Sequence, residues 1–278
     1  MRTVRTAAEL AEWRATRSGT CGFVPTMGFL HEGHVSLVRR ARQECGTVAV
    51  SIFVNPAQFG PGEDLASYPR DLDQDFDLLN EAGVGMVFVP DAELMYPPAF
   101  QTWVEVTEVS RPLEGAARPG HFRGVATVVL KLLNLVDPDT AYFGQKDAQQ
   151  LAVIRRMAQD LALPVAIVGC PTSREPDGLA RSSRNSYLTA AERAAAPVVY
   201  RALCAARDAW RSGVRDSTEL RAAIRCTLDS EPLAQVEYVS IADPESLAEL
   251  DAASAGALAS LAVRIGRTRL IDNLVLEP

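Results

Sequence analysis

The 278-residue sequence has only three histidines, five cysteines and no long apolar run. The cysteines, Cys21, Cys45, Cys170, Cys204 and Cys226, are scattered, odd in number and never in C-x-x-C spacing. That pattern argues against a disulfide framework or a zinc site and fits reduced thiols in a cytoplasm. No stretch approaches the roughly 20 apolar residues that span a bilayer. Met1-Arg2-Thr3-Val4-Arg5 leads into an Ala/Glu/Arg-rich helical pattern rather than an apolar signal core. Basic charge is also short, with 28 Lys and Arg against 35 Asp and Glu and a net charge of −7, which argues against a nucleic-acid binder. G-x-x-x-x-G-K-[ST] is absent, so this is not an ATPase of that phosphate-loop kind. The first strand is not followed by G-x-G-x-x-G, which lowers a dehydrogenase reading, and there is no G-x-S-x-G elbow. His31 and His34 have no evident carboxylate partners, so the spacing asserts no metal site. The composition that remains, 47% hydrophobic and 23% charged, is ordinary for a globular chain of one large or two ordinary domains. Together these features point to a cytoplasmic enzyme.

The chain is organised around Phe23-Val24-Pro25-Thr26-Met27-Gly28-Phe29-Leu30-His31-Glu32-Gly33-His34. An apolar run reads as a buried strand and leaves it at Pro25. Small residues follow, and then the amphipathic pattern of Val35, Leu37, Val38 and Ala41. Strand, tight turn and helix place two histidines at the helix start, three apart and on one face. The first N–H groups of a helix are unpaired and carry partial positive charge, so such a turn suits an anion. Gly28 and Gly33 leave room for a ligand against the backbone.

Strands then alternate with helices. Helices are expected at 7–17, 71–82, 125–136 and 148–161, and strands at 20–24, 47–54, 84–90, 139–143 and 164–170, with 102–109 as an edge strand. The β-branched run at 47–54 is of the kind covered on both faces. It ends at Asn55-Pro56-Ala57-Gln58-Phe59, where ligands gather in open α/β sheets. This order spells an α/β fold, a doubly wound parallel sheet. After residue 172 the texture changes. A polar loop at 171–185 precedes a capping-box start at Thr189-Ala190-Ala191-Glu192 for an Ala/Arg-rich helix ending near Ser212-Gly213. A helix at 216–229 and strands at 236–241, 261–265 and 270–276 complete a smaller α+β domain. The expected domains are 1–172 and 173–278.

Gly144-Gln145-Lys146-Asp147 repeats the strand, glycine and helix-start design with a lysine, a point charge for phosphate. Asp147 there caps the helix or holds Mg²⁺ or ribose, and Gln150 lies one turn on towards the same crevice. Arg181-Ser182-Ser183-Arg184 offers hydroxyls and guanidinium groups that suit phosphate oxygens, although an ordinary hydrophilic linker has the same composition. His121, between Gly120 and Phe122, is open on its own.

Taken together, these motifs resemble the pantothenate synthetase (pantoate–β-alanine ligase) family, within the His-x-Gly-His nucleotidyl transferase superfamily. The resemblance runs nearly end to end. It rests on Pro25-Thr26-Met27-Gly28 with His31-Glu32-Gly33-His34, Ser51-Ile52-Phe53-Val54-Asn55-Pro56 with Gln58-Phe59, and Tyr68-Pro69-Arg70. It rests also on His121-Phe122 with Gly124-Val125, Phe143-Gly144 with Lys146-Asp147 and Gln149-Gln150, and Ser182-Ser183-Arg184-Asn185. It implies a Rossmann-like first domain, a C-terminal lid and a homodimer. It also implies a two-step reaction of pantoate, MgATP and β-alanine through pantoyl adenylate, with positioning and charge stabilisation dominant. By this resemblance, Met27, Gly28, Phe29, Leu30, His31, Glu32, Gly33 and His34 bind ATP, with His34 the proton donor and His31 beside it on the phosphates. Gly144, Gln145, Lys146 and Asp147 form a second ATP segment, with Lys146 on the phosphates, and Ser182, Ser183 and Arg184 a phosphate-gripping loop. Gln58 and Gln150 hold pantoate, Gln58 borders β-alanine, and His121 joins the substrate site. Asp75 falls where the family has carboxylates near the metal and phosphates.

Three positions depart from the family pattern. Gln145 replaces a frequent Glu, Arg181 stands where Met or Leu is usual and adds charge beside the triphosphate, and Ser173 stands where an apolar residue usually meets adenine. A nucleotidyl transferase that releases its adenylate is a competing reading, weakened by the Gln58 and Gln150 pair. A non-catalytic nucleotide binder is another, and it would be expected to have lost one of His34, Lys146 and Arg184.

Overall fold

The computed structural model describes residues 1–278. Its chain divides into two compact units, Met1–Gly144 with Val153–Pro171, and Gln145–Ala152 with Thr172–Pro278. Residues 145–152 group with the second unit.

The first unit is an α/β layer built on one parallel sheet of six strands. These are β1 (Arg2–Val4), β2 (Cys21–Thr26), β3 (Thr47–Ile52), β4 (Met86–Phe88), β5 (Thr140–Gly144) and β6 (Ala166–Cys170), in the order β1-β4-β3-β2-β5-β6. The order reverses between β2 and β5, the switch point at whose carboxyl ends such sheets bind ligands. Sequence pattern does not reveal β1, because three residues are too few to show a period. Strand β2 continues past Pro25, which is aligned with Ser51 of β3. Pairing of β2 with β5 reaches only Phe23, so Pro25 lies beyond that ladder, where a missing N–H is tolerated. Phe23, Phe88, Met86 and Tyr142 are fully buried, as expected for strands covered on both faces.

Residues 102–109 form no strand. The alternation there is real, but Val104 donates its backbone N–H to Thr127 Oγ1 instead of to a neighbouring strand. The helix expected at 125–136 begins four residues earlier, as His121–Val136. Gly124 lets it approach the turn Pro56–Gln58 closely, since a Cβ at this position would lie 2.2 Å from the Ala57 carbonyl oxygen.

In the second unit, β7 (Ala234–Ala242), β8 (Leu258–Ile265) and β9 (Thr268–Val275) form an antiparallel sheet in sequence order. Helices Val198–Arg211 and Ser217–Asp229 supply Leu203, Trp210, Leu220 and Ile224 to a core shared with Ile241, Leu261 and Val263. The Thr189/Glu192 capping box is present. Its helix stops at Ala195, and Pro197 starts the next one, as a residue without an N–H favours.

Candidate active site

Strand β2 delivers the chain to a sharp turn. Gly28 has φ +79° and Phe29 φ +49°, the left-handed region that an L side chain occupies only under constraint. The constraint is Asp75. Its carboxylate is 1% exposed and accepts the Phe29 N–H at 2.9 Å and the Leu30 N–H at 2.6 Å. Asp75 lies in the first turn of helix Leu72–Glu81, where the helix dipole favours a negative charge. Burial nonetheless pushes its carboxyl above the ordinary value, against the two backbone bonds that lower it. The residue expected near the metal and phosphates thus makes its bonds here to the turn itself. Both oxygens are committed to backbone donors, and the residue props the turn from beneath. The chain has no group of three or more His, Cys, Asp or Glu side chains placed to hold an ion.

The turn ends in helix Glu32–Glu44, whose N-cap is His31. His31 Nδ1 accepts the Gly33 N–H at 3.1 Å, and His34 Nδ1 accepts the His31 N–H at 3.3 Å. A backbone N–H only donates, so each neutral ring is fixed as the tautomer carrying its proton on Nε2. The two rings lie 4.1 Å apart, centroid to centroid. The result is a pair of imidazole N–H donors at the positive end of a helix, suited to an oxyanion. The Glu32 carboxylate, between them in sequence, is ion-paired with Arg39 on the exposed face.

After β3, Asn55 and Gln58 form a second polar feature. Both are buried, and Asn55 Nδ2 donates to Gln58 Oε1 at 3.0 Å. Gln58 Nε2 donates to Met27 Sδ at 3.2 Å, which ties this turn to the first. His121 stands behind it. Its Nδ1 donates to the Gln58 main-chain carbonyl at 2.8 Å, and its Nε2 accepts from Arg118 at 3.1 Å. Arg118 also reaches Glu63, at 2.6 and 2.8 Å, and the Gln58 carbonyl. Burial first, and then the Arg118 charge, depress His121 to about 4, so the ring is neutral at ordinary pH. With both nitrogens engaged, His121 is a support for Gln58.

In the second unit, the short 3-10 turn Gln145–Asp147 leads into helix Ala148–Asp160. Asn273 of β9 clamps it, donating to the Gln145 and Lys146 carbonyls at 2.9 Å each. The Lys146 ammonium lies 3.6 Å from the Asp147 carboxylate. Gln149 is buried, and Gln150 is half-buried. Ser173 and Arg181 face one another across a small hairpin, the Arg181 N–H bonding the Ser173 carbonyl at 2.9 Å. Arg174 anchors this hairpin by two bonds, 2.6 and 3.0 Å, to the buried Asp272. Arg181 is paired with Glu175 at 3.0 Å, so the expected added charge is locally neutralised. Ser182 caps the 3-10 turn Ser183–Tyr187, its Oγ accepting the Arg184 N–H. Ser183 is buried and Arg184 half-buried.

The model of the family described as pantoate-beta-alanine ligase matches residues 2–275. The chain belongs to the pantoate–β-alanine ligase family. Pantothenate synthetase of Roseiflexus sp. (strain RS-1) is 61% identical over all of both chains. That of Chloroflexus aurantiacus (strain J-10-fl) is 59% identical over 100% of this chain and 99% of its own. Among solved structures, pantothenate synthetase from Thermus thermophilus superposes with a TM-score of 0.95 at 53% identity, covering both chains fully. Pantoate-beta-alanine ligase from Francisella tularensis, described as complexed with beta-gamma ATP and beta-alanine, superposes at 0.81 with 35% identity over 100% of this chain and 98% of that one. The α/β fold expected from the sequence is thus the fold of the ligase family, and the chain is an enzyme of that class.

Four structural partners escape sequence reasoning: Tyr96, Arg118, Asp272 and Asn273. Each acts through a tertiary bond to a residue 41 or more positions away, and none carries a motif of its own.

Proposed function

We propose that this ligase joins pantoate to β-alanine with ATP by way of pantoyl adenylate. A pantoate carboxylate oxygen attacks the α-phosphorus of ATP and pyrophosphate leaves. The β-alanine amine then attacks the acyl carbon, AMP leaves with the bonding pair, and the amine surrenders a proton. The observation that carries this reading is the pair of Nε2–H donors on His31 and His34 at a helix N-terminus. Neither step needs a covalent enzyme nucleophile; both need charge held where it develops on phosphate.

In this reading His34 donates to the α-phosphate and the departing pyrophosphate, with His31 beside it. Met27, Gly28, Phe29, Leu30 and Gly33 line the nucleotide. Lys146 and Arg184, with Ser182 and Ser183, bear on the phosphates, while Gln58 and Gln150 hold pantoate. Mg²⁺ enters with ATP as part of the substrate. The Francisella tularensis relative, described as complexed with beta-gamma ATP and beta-alanine, supports the substrate set. We further take the working form to be a cytoplasmic homodimer, to be checked by sedimentation.

The test is formation of AMP and pantothenate from ATP, D-pantoate and β-alanine with Mg²⁺, beside His34→Ala. Product requiring all three substrates and falling at least ~100-fold in the variant is expected from the loss of a proton donor and charge stabiliser. Consumption of ATP without dependence on β-alanine would instead favour a transferase that releases its adenylate.

A further inference from the structure

Two amides in sequence can each be drawn in either orientation, yet here the backbone leaves one choice. The N–H of Ala57 only donates, and it meets Asn55 Oδ1 at 3.2 Å. The Gly124 carbonyl only accepts, and it meets Asn55 Nδ2 at 3.2 Å. The Asn55 amide is thereby oriented without reference to its neighbours. Its remaining Nδ2 bond then requires that the Gln58 atom facing it is the oxygen. Gln58 is left to present Nε2, whose present partner is the thioether of Met27, a weak acceptor.

Tyr96 completes the chain from outside. Its hydroxyl donates to Asn55 Oδ1 at 2.7 Å. The ring follows the short helix Ala92–Met95 and is held by Phe53, Phe100 and Trp103, with centroids 6.4, 5.2 and 6.0 Å away. Lys131 Nζ lies 5.7 Å from the ring centre. Burial raises the phenol to about 12, so the hydroxyl keeps its proton wherever the enzyme works.

We infer that Tyr96 is a positioning residue for the acid substrate: its hydroxyl holds in place the Asn55 amide whose polarity Ala57 and Gly124 set, and so steadies Gln58 with its Nε2 donor directed outward. The inference rests on the proposed function, in which Gln58 holds pantoate. Its consequence is specificity. An oxygen of the acid, whether carboxylate or hydroxyl, displaces the thioether and receives Nε2–H, whereas an ammonium or amide N–H at that place finds no acceptor. Chains of hydrogen bonds also polarise one another, so a proton donated at Tyr96 strengthens the donor at Gln58.

The experiment is steady-state kinetics of Tyr96→Phe, with Phe100→Leu as a control that alters the same aromatic packing but removes no hydrogen bond of the chain. The wild-type enzyme is assayed first, since failure to make pantothenate would refute the proposed function rather than this inference. Tyr96→Phe is expected to raise the KM for pantoate about 3- to 10-fold, the loss of one buried hydrogen bond. The KM for ATP should stay within about twofold, and Phe100→Leu should leave the pantoate KM within about twofold of wild type. A pantoate KM unchanged in Tyr96→Phe overturns the inference. So does an ATP KM that rises in step, or an equal pantoate effect in Phe100→Leu, because either would mark Tyr96 as packing alone.

Discussion

Replacing Asp75 by Asn separates what this carboxylate does for the fold from what it does for the nucleotide turn. The shape of the side chain is kept, but one of its two acceptors becomes a donor facing a backbone N–H of Phe29 or Leu30. A hydrogen bond to a charged acceptor is worth roughly 1.5–3 kcal/mol, and an unsatisfied buried donor costs a comparable amount. That loss falls on a turn already strained at Phe29 and Gly28, and the turn relaxes where it carries the helix that begins after His31. With 1.4 kcal/mol equal to tenfold, the ATP KM is expected to rise roughly 10- to 100-fold. Global stability should behave differently. Burial outweighs the two backbone bonds and raises the Asp75 carboxyl, so the ionised group is itself a cost to the fold at pH 7. A carboxyl raised in this way favours the folded state below its unfolded pKa, and that contribution is lost as pH rises through the folded pKa. Asp75→Asn should therefore melt within a few degrees of wild type at pH 7, and wild type should gain on the variant as pH falls through the folded pKa. Initial rates against ATP and against Mg²⁺, with thermal melts at pH 7 and over a series of lower pH values, test this. An ATP KM within twofold of wild type would refute the argument. A rise in the Mg²⁺ needed for half-maximal rate, at unchanged ATP KM, would also refute it and return Asp75 to the metal.

Two further perturbations follow from buried charge. His121 is held at about 4 against an ordinary value near 6.5, so the unfolded chain takes up the proton first as pH falls. Stability should drop on the order of 3 kcal/mol between about pH 6.5 and 4 and then level off; urea titrations of His121→Gln should lack that component of the slope. Arg174→Met strands the buried carboxylate of Asp272, which is fully enclosed beside it, and should cost roughly 3–5 kcal/mol. Adding Asp272→Leu should restore most of it, and a double variant as unstable as the single one would show that the pair's charge is not the cause.

The parts of this molecule legible in its sequence are those where local chemistry and tertiary packing demand the same thing. The run 47–52 is β-branched because both faces of β3 are covered, and Thr189/Glu192 cap a helix wherever the rest of the chain goes. Pro25 misleads because a proline breaks a ladder only where a ladder exists, and neighbouring β5 stops pairing at Phe23. Residues 102–109 mislead for the opposite reason: alternation describes a side-chain pattern, while a strand needs a backbone partner, and none is offered there. The site divides along the same line. His31, His34, Gln58 and Lys146 stand at strand or helix ends, where position marks candidates and only the family resemblance assigns them roles. What spacing leaves undetermined is direction: which nitrogen of a ring carries the proton and which end of an amide points outward. Those choices are made by Gly33, Ala57 and Gly124 through backbone N–H and carbonyl groups that any residue possesses. They appear only once the chain is folded. For the same reason the bonds that Asp75 and His121 make to the backbone, at Phe29, Leu30 and Gln58, are not legible in the sequence, since a titratable side chain looks alike whether it faces a substrate or holds the backbone that does.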